Sequence, residues 1–196
     1  PVLTAYPEYR NALKPLLNSH AVSPWSTYAT IDHRIVSGET LVRNLLYGDL
    51  YARTWLDSPQ KMYWGWGMPA LSPQLPQLLE DAGYEGGIHN LPYNGLPALY
   101  QQLGRNGSTL LQRRKMNSPL PRTLLDLHQI ARRQHPAWEE EGIESDLQIY
   151  ENTSHAPETF WLKKILPLAE AIPSIRVTGS GGEEYLKAIQ GEFPFT

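Results

Sequence analysis

Helical and extended patterns alternate from one end of this chain to the other, and that order restricts its folds more than any other feature. A helix is predicted over Glu8 to Asn18, with Leu13, Leu16 and Leu17 as its apolar edge. A short strand is predicted at Tyr28 to Ile31. Ser37 can cap the next helix and Glu39 complements its dipole. Leu41 with Leu45, and Val42 with Leu46, then repeat one turn apart, and the pattern continues to about Trp55, where Asp57-Ser58-Pro59 stops it. Lys61 to Trp66 reads as a buried strand, Leu75 to Ala82 as a helix closed by Gly83, and Gly87 to His89 as a strand. Leu91 to Gly107, rich in Gly, Pro and Asn, reads as a long loop. A strand at Ser108 to Gln112 and a helix at Arg122 to Arg133 follow. Beyond them come a strand at Asp146 to Tyr150, a helix at Pro157 to Ala169, a strand at Ile175 to Val177 and a helix at Glu183 to Ile189. Alternation of this kind points to an α/β fold with mostly parallel strands, in which ligands sit at the carboxyl ends of the strands.

Composition narrows the function classes. With 196 residues, 41% of them hydrophobic and 19% charged, the chain suits a single globular domain over 1–196. A net charge of −3 gives no strong field to draw in nucleic acid. Arg113-Arg114-Lys115 and Arg132-Arg133 are too short to change that, and read as solvated faces. There is no apolar run of membrane-spanning length, so no membrane partner is expected. The absence of cysteine rules out a thiol nucleophile or thiolate metal site. It suits a soluble protein of the cytoplasm or one exported from a bacterium. Trp (6) and Tyr (11) outnumber Phe (3), a bias that suits either sugar stacking or ordinary core and rim packing.

The loops at predicted strand ends supply the candidate site residues. Asp32-His33 reads as a sugar-binding or metal pair, or as a loop-edge Asp that accepts from backbone amides. His89-Asn90 sits at a strand end, where a ligand contact is natural, although a solvated or satisfied histidine is the commoner case. Trp64 and Trp66 alternate on one predicted strand, as an aromatic platform or as packing against helices. No two histidines stand one helical turn apart with a carboxylate partner, so no helix-borne zinc motif is present. Gly179-Ser180-Gly181-Gly182 could hold an anion at the start of the last helix, but reads first as a plain connection.

Two longer segments carry a family resemblance. Ile31-Asp32-His33-Arg34-Ile35-Val36-Ser37-Gly38-Glu39-Thr40-Leu41-Val42-Arg43-Asn44-Leu45-Leu46-Tyr47-Gly48, and Ser72-Pro73-Gln74-Leu75-Pro76-Gln77-Leu78-Leu79-Glu80-Asp81-Ala82-Gly83-Tyr84, resemble segments of glycoside hydrolase family 38, the α-mannosidases. Gly104-Arg105-Asn106-Gly107-Ser108 resembles that family's turn before a strand, and the stretch from Pro157 to Ile189 resembles its closing helix, strand and helix. The resemblance implies a seven-stranded (β/α) barrel, and a retaining mechanism with one carboxylate as nucleophile and another as general acid. It also implies zinc held by the nucleophile and by residues outside this chain.

At the matching positions the chain departs from the family. The nucleophile slot falls on Gly67 and the general-acid slot on Asn152, with Glu151 beside it. The family's first strand would precede Pro1. The resemblance therefore implies an incomplete barrel lacking that strand, open to association, with no cofactor of its own. Asp32 and Glu151 are the catalytic candidates; His33, Trp64, Trp66, His89 and Asn152 are the substrate-binding candidates for a mannose-like carbohydrate; no metal ligand is expected. Three readings stay open: a fragment of an α-mannosidase-like glycosidase, a carbohydrate-binding pseudoenzyme, and an interaction domain without a sugar site.

Overall fold

A computed structural model of the protein describes residues 2–18, 26–59, 61–67, 70–90, 99–114, 123–141, 163–164, 166–169 and 181–190. The chain forms two compact units, Pro1–Lys115 with Gly181–Lys187, and Met116–Ser180 with Ala188–Thr196.

The first unit is built on a mixed sheet. Its strands are β1 (Met62–Gly65), β2 (Gly86–His89), β3 (Leu99–Leu103) and β4 (Thr109–Arg114), in the spatial order β1-β2-β4-β3. β1, β2 and β4 run parallel, with Gly65 opposite His89 and His89 opposite Arg114, so the three strands end on one row. β3 pairs antiparallel with β4 as an edge hairpin, Leu99 opposite Arg113. An α/β fold with a mostly parallel sheet is thus present, with four strands among the described residues.

Register decides which side chains share a face. Tyr63 and Leu110 point to the side covered by α4 (Leu75–Asp81) and α3 (Gly38–Leu56). There they form a core with Leu45, Leu75, Leu79 and Tyr84, flanked by Leu71 and Leu78. Met62, Trp64 and Gly86 lie on the other face, under α7 (Gly182–Gln190). The start of α7 approaches closely there, with Gly182 against Met62 and the Trp64 indole, and Leu186 over Gly86.

The longest helix of this unit starts and stops where its sequence says. The Ser37 hydroxyl accepts from the Thr40 N–H at 3.2 Å. Asp57 ends the helix in a left-handed conformation, φ 55°, which Asp tolerates better than most residues. Leu41, Leu45 and Ala52 are buried, whereas Val42 and Leu46 of the same sequence pattern are exposed. α1 (Val2–Ala5) and α2 (Tyr9–Asn18) precede it, and α2 packs on α3 through Leu17 and the ion pair Lys14–Asp57.

In the second unit, α5 (Leu124–Glu141) opens on a reciprocal cap. The Thr123 hydroxyl accepts from the Asp126 N–H at 3.1 Å, and the Asp126 carboxylate accepts from the Thr123 N–H at 2.9 Å. Leu127 and Ile130 are buried, and α6 (Leu166–Ala169) contacts α5.

Several sequence expectations are corrected. Tyr28 to Ile31 is no strand, because the Asn44 side chain takes the place of a neighbouring strand. Its amide oxygen accepts from the Ala29 N–H at 2.8 Å and its amide nitrogen donates to the Ala29 carbonyl at 2.9 Å. The expected loop Leu91 to Gly107 contains β3. Gly104, Gly107 and the Asn106 side chain form the hairpin turn that joins β3 to β4, with the Gly104 N–H donating to Ser108 O at 2.7 Å. β1 is shorter than Lys61 to Trp66, so Trp66 lies in the turn beyond it. α5 runs past Arg133 to Glu141, through Pro136. The expected strands Asp146 to Tyr150 and Ile175 to Val177 lie outside the described residues, as does the start of the helix expected from Pro157.

Candidate functional site at the strand ends

The chain leaving β1 at its carboxyl end gathers residues from two other segments. Immediately after the strand, the Gly67 N–H donates to the Asn90 side-chain oxygen at 3.1 Å, tying the exit of β1 to the exit of β2. Further along, the Ser72 N–H donates to His33 Nδ1 at 3.2 Å. An accepting Nδ1 on a neutral ring leaves the proton on Nε2, which donates to the Tyr63 hydroxyl 3.2 Å away. Burial holds the His33 pKa below its ordinary value, and the Asp32 charge opposes this only in part. His33 is therefore a neutral, oriented ring that fixes the Asp32 loop against the β1–α4 connection.

Asp32 is engaged by Arg34. The guanidinium donates through Nη2 to Oδ2 at 2.7 Å and through Nε to Oδ1 at 3.1 Å, and the Arg34 backbone N–H adds a bond to Oδ1 at 2.9 Å. These bonds lower the Asp32 pKa, so the group is a carboxylate at neutral pH. It can accept hydrogen bonds from hydroxyls but has no proton to give.

Gly67 is exposed, with φ 68°. That left-handed conformation disfavours most side chains by about 1 kcal/mol, so glycine suits the turn as well as leaving it without a carboxylate.

His89 closes β2. It is completely buried, and its Nε2 is hydrogen-bonded to the hydroxyl of half-buried Tyr100. Desolvation, with the nearby Arg114 and Arg113 cations, pushes its pKa down to about 4.

Trp64 is half-buried with its ring against Gly182, and Trp66 is half-buried in the turn after β1. Glu151 and Asn152 lie outside the described residues. The structure therefore joins His33 and Gly67 to one segment, the exit of β1. It sets His89 at the end of the adjacent strand and turns Trp64 toward α7.

Four contributors escaped the sequence reading. Arg34 was signalled only by the Asp-x-Arg spacing. Tyr63 and Ser72 gave no local sign, since their contact with His33 spans a long stretch of chain. Tyr100 stood in a segment read as loop.

Gly67, where the resemblance to family 38 would place a metal-binding nucleophile, has no side-chain donor for a metal ion. Among the described residues, no three His, Asp or Glu side chains gather in a way that could hold a metal ion.

No protein-family model matches the sequence, and no curated protein matches it. Solved structures do match the fold. An α-mannosidase from Enterococcus faecalis V583 superposes with a TM-score of 0.80 over 98% of this chain, at 20% identity. A 4-α-glucanotransferase from Thermococcus litoralis gives 0.61 over 93%, at 16% identity. The chain covers 23% and 29% of those two chains, about a quarter of their length. It has a glycoside hydrolase-like α/β fold.

Proposed function

We propose that this chain is part of a seven-stranded (β/α) barrel whose carboxyl strand ends bind an α-mannoside-type carbohydrate, and that the chain does not itself hydrolyse it. The observation that carries this reading is the Asp32–Arg34 fork, set beside the β1 exit by His33. A carboxylate that accepts and a guanidinium that donates suit the vicinal hydroxyls of a sugar, each of which both gives and takes hydrogen bonds. The resemblance to family 38 and the fold shared with a mannosidase support a mannose-like ligand.

Retaining hydrolysis needs a nucleophile and a protonated acid about 5 Å apart. Gly67 supplies no nucleophile. Asp32, ionised against Arg34, cannot serve as the acid. Glu151 remains the candidate for proton donation, beside an Asn152 that has no proton to lose. A carbohydrate-binding pseudoenzyme is therefore favoured over a working glycosidase.

The test is a rate measurement on aryl α-mannosides, with and without zinc, alongside Asp32→Asn and Glu151→Gln. The expected result is no turnover above the uncatalysed background in any of the three proteins. Turnover that survives both substitutions would place a catalytic pair elsewhere. Turnover abolished by each would make Asp32 and Glu151 a working pair and restore the enzyme.

A further inference from the structure

α3 is apolar on two opposite sides. Leu41, Leu45 and Ala52 face the core, while Val42, Leu46 and Leu50 stand one helical turn apart on the outer side, 41%, 58% and 55% exposed. Single exposed apolar residues are ordinary, but a continuous stripe on a helix is the pattern of a face that packs against something. Tyr28 and Tyr47, both exposed and in edge-to-face contact, widen it on one flank.

The charges around the stripe identify what fits it. Glu39 and Arg53 are equally distant from Leu46 in sequence, on either side, and so are Arg43 and Asp49, and Val42 and Leu50. Each member of one charged pair is opposite in sign to its counterpart. We propose that this face binds a second copy of the chain, α3 against α3, antiparallel about a two-fold axis at Leu46. In that arrangement Leu46 meets the partner's Leu46, and Val42 meets the partner's Leu50. Glu39 faces the partner's Arg53, and Arg43 lies level with the partner's Asp49 across the seam. A parallel pairing would set each charge against its own kind.

The rim needs little reorganisation for this. Arg43 already bonds Glu39 at 2.7 Å, and Arg53 already bonds Asp49. Association turns two separate ion pairs at each end into one four-membered network of alternating sign. The self-complementary patch is the property an isologous interface requires.

One helix face is small beside the roughly 800 Å² per partner of a standard interface, so a dissociation constant on the order of micromolar is expected. The experiment is sedimentation equilibrium of the whole chain at about 200 µM, well above such a constant. The wild-type chain should be a dimer. Leu46→Glu and Leu46→Lys should each be monomeric, because like charges then meet on the axis. An equimolar mixture of the two should dimerise again, which also shows that both variants are folded. A monomeric wild-type chain, a dimer that survives Leu46→Glu, or a mixture that stays monomeric would each overturn the proposal.

Discussion

Acidification from pH 6.5 toward 4 should remove about 3 kcal/mol of folding free energy through His89 alone. In the folded protein its pKa lies at about 4, against an ordinary 6.5, because the ring is buried and two arginine cations stand near it. Over that window the unfolded chain binds a proton that the folded chain refuses. Unfolding is therefore favoured as pH falls, and the loss is complete once pH passes below the folded value. His33 contributes in the same direction, since burial lowers its pKa as well. Asp32 acts in a lower window, because its depressed pKa keeps its contribution until pH falls below the ordinary carboxylate range. Urea unfolding at pH 7 and at pH 4.5 measures the slope. His89→Gln keeps a neutral donor toward Tyr100 and should flatten it; an unchanged slope would assign the acid sensitivity to other groups.

Substitution at Gly48 should be as damaging. A Cβ there would stand 2.8 Å from Thr27 Cα, Thr27 C and Tyr28 N, all backbone atoms that cannot swing aside. The segment 26–29 lies directly on α3 at this point. It is held by the Asn44 side chain one turn earlier, by Ser26 Oγ accepting from Trp64 N–H at 2.8 Å, and by the Tyr84 hydroxyl donating to Ser26 O at 2.6 Å. Alanine is worth about 1 kcal/mol more than glycine within a helix. Gly48→Ala should nonetheless destabilise the protein, and Gly48→Val should cost about 3 kcal/mol by overpacking, roughly 10 °C in Tm. Asn44→Leu should cost about 2 kcal/mol, from the two bonds lost to Ala29. The double variant Asn44→Leu with Gly48→Val should lose less than the sum, since both residues hold the same segment. Thermal melts of the three variants and the double test this. A more stable Gly48→Ala would mean that segment 26–29 does not press on the helix.

The parts of the fold that were legible in the sequence are those specified locally. Ser37 and Asp57 mark the ends of α3 by capping chemistry, Gly83 the end of α4, and the apolar runs around Tyr63, Ile88 and Leu111 are buried strands. What stayed hidden depends on partners distant in sequence. Tyr28 to Ile31 has strand-forming residues, yet its backbone is satisfied by Asn44, a helix residue. β3 is short and sits at an edge, with alternate residues exposed, so its only local sign was the Gly104–Gly107 turn. The site follows the same division. Its candidate loops could be named because strand ends are where such folds place ligands. That His89 would be buried against Tyr100 required knowing that β3 exists, and the Asp32–Arg34 fork required knowing that the loop turns back on itself.

The proposed sugar site lies at the carboxyl ends of β1 and β2. Its most direct test is a titration of the isotopically labelled chain with methyl α-mannoside, followed by amide chemical shifts. A weak site of millimolar Kd, about −4 kcal/mol, is enough to be seen. The predicted result is saturable shifts at Asp32, His33, Gly67 and Asn90. Lys61 and Glu85, which pair at 2.8 Å across the opposite, amino-terminal edge of the same two strands, should stay still. Shifts centred on Lys61 and Glu85, or none at any residue, would contradict it.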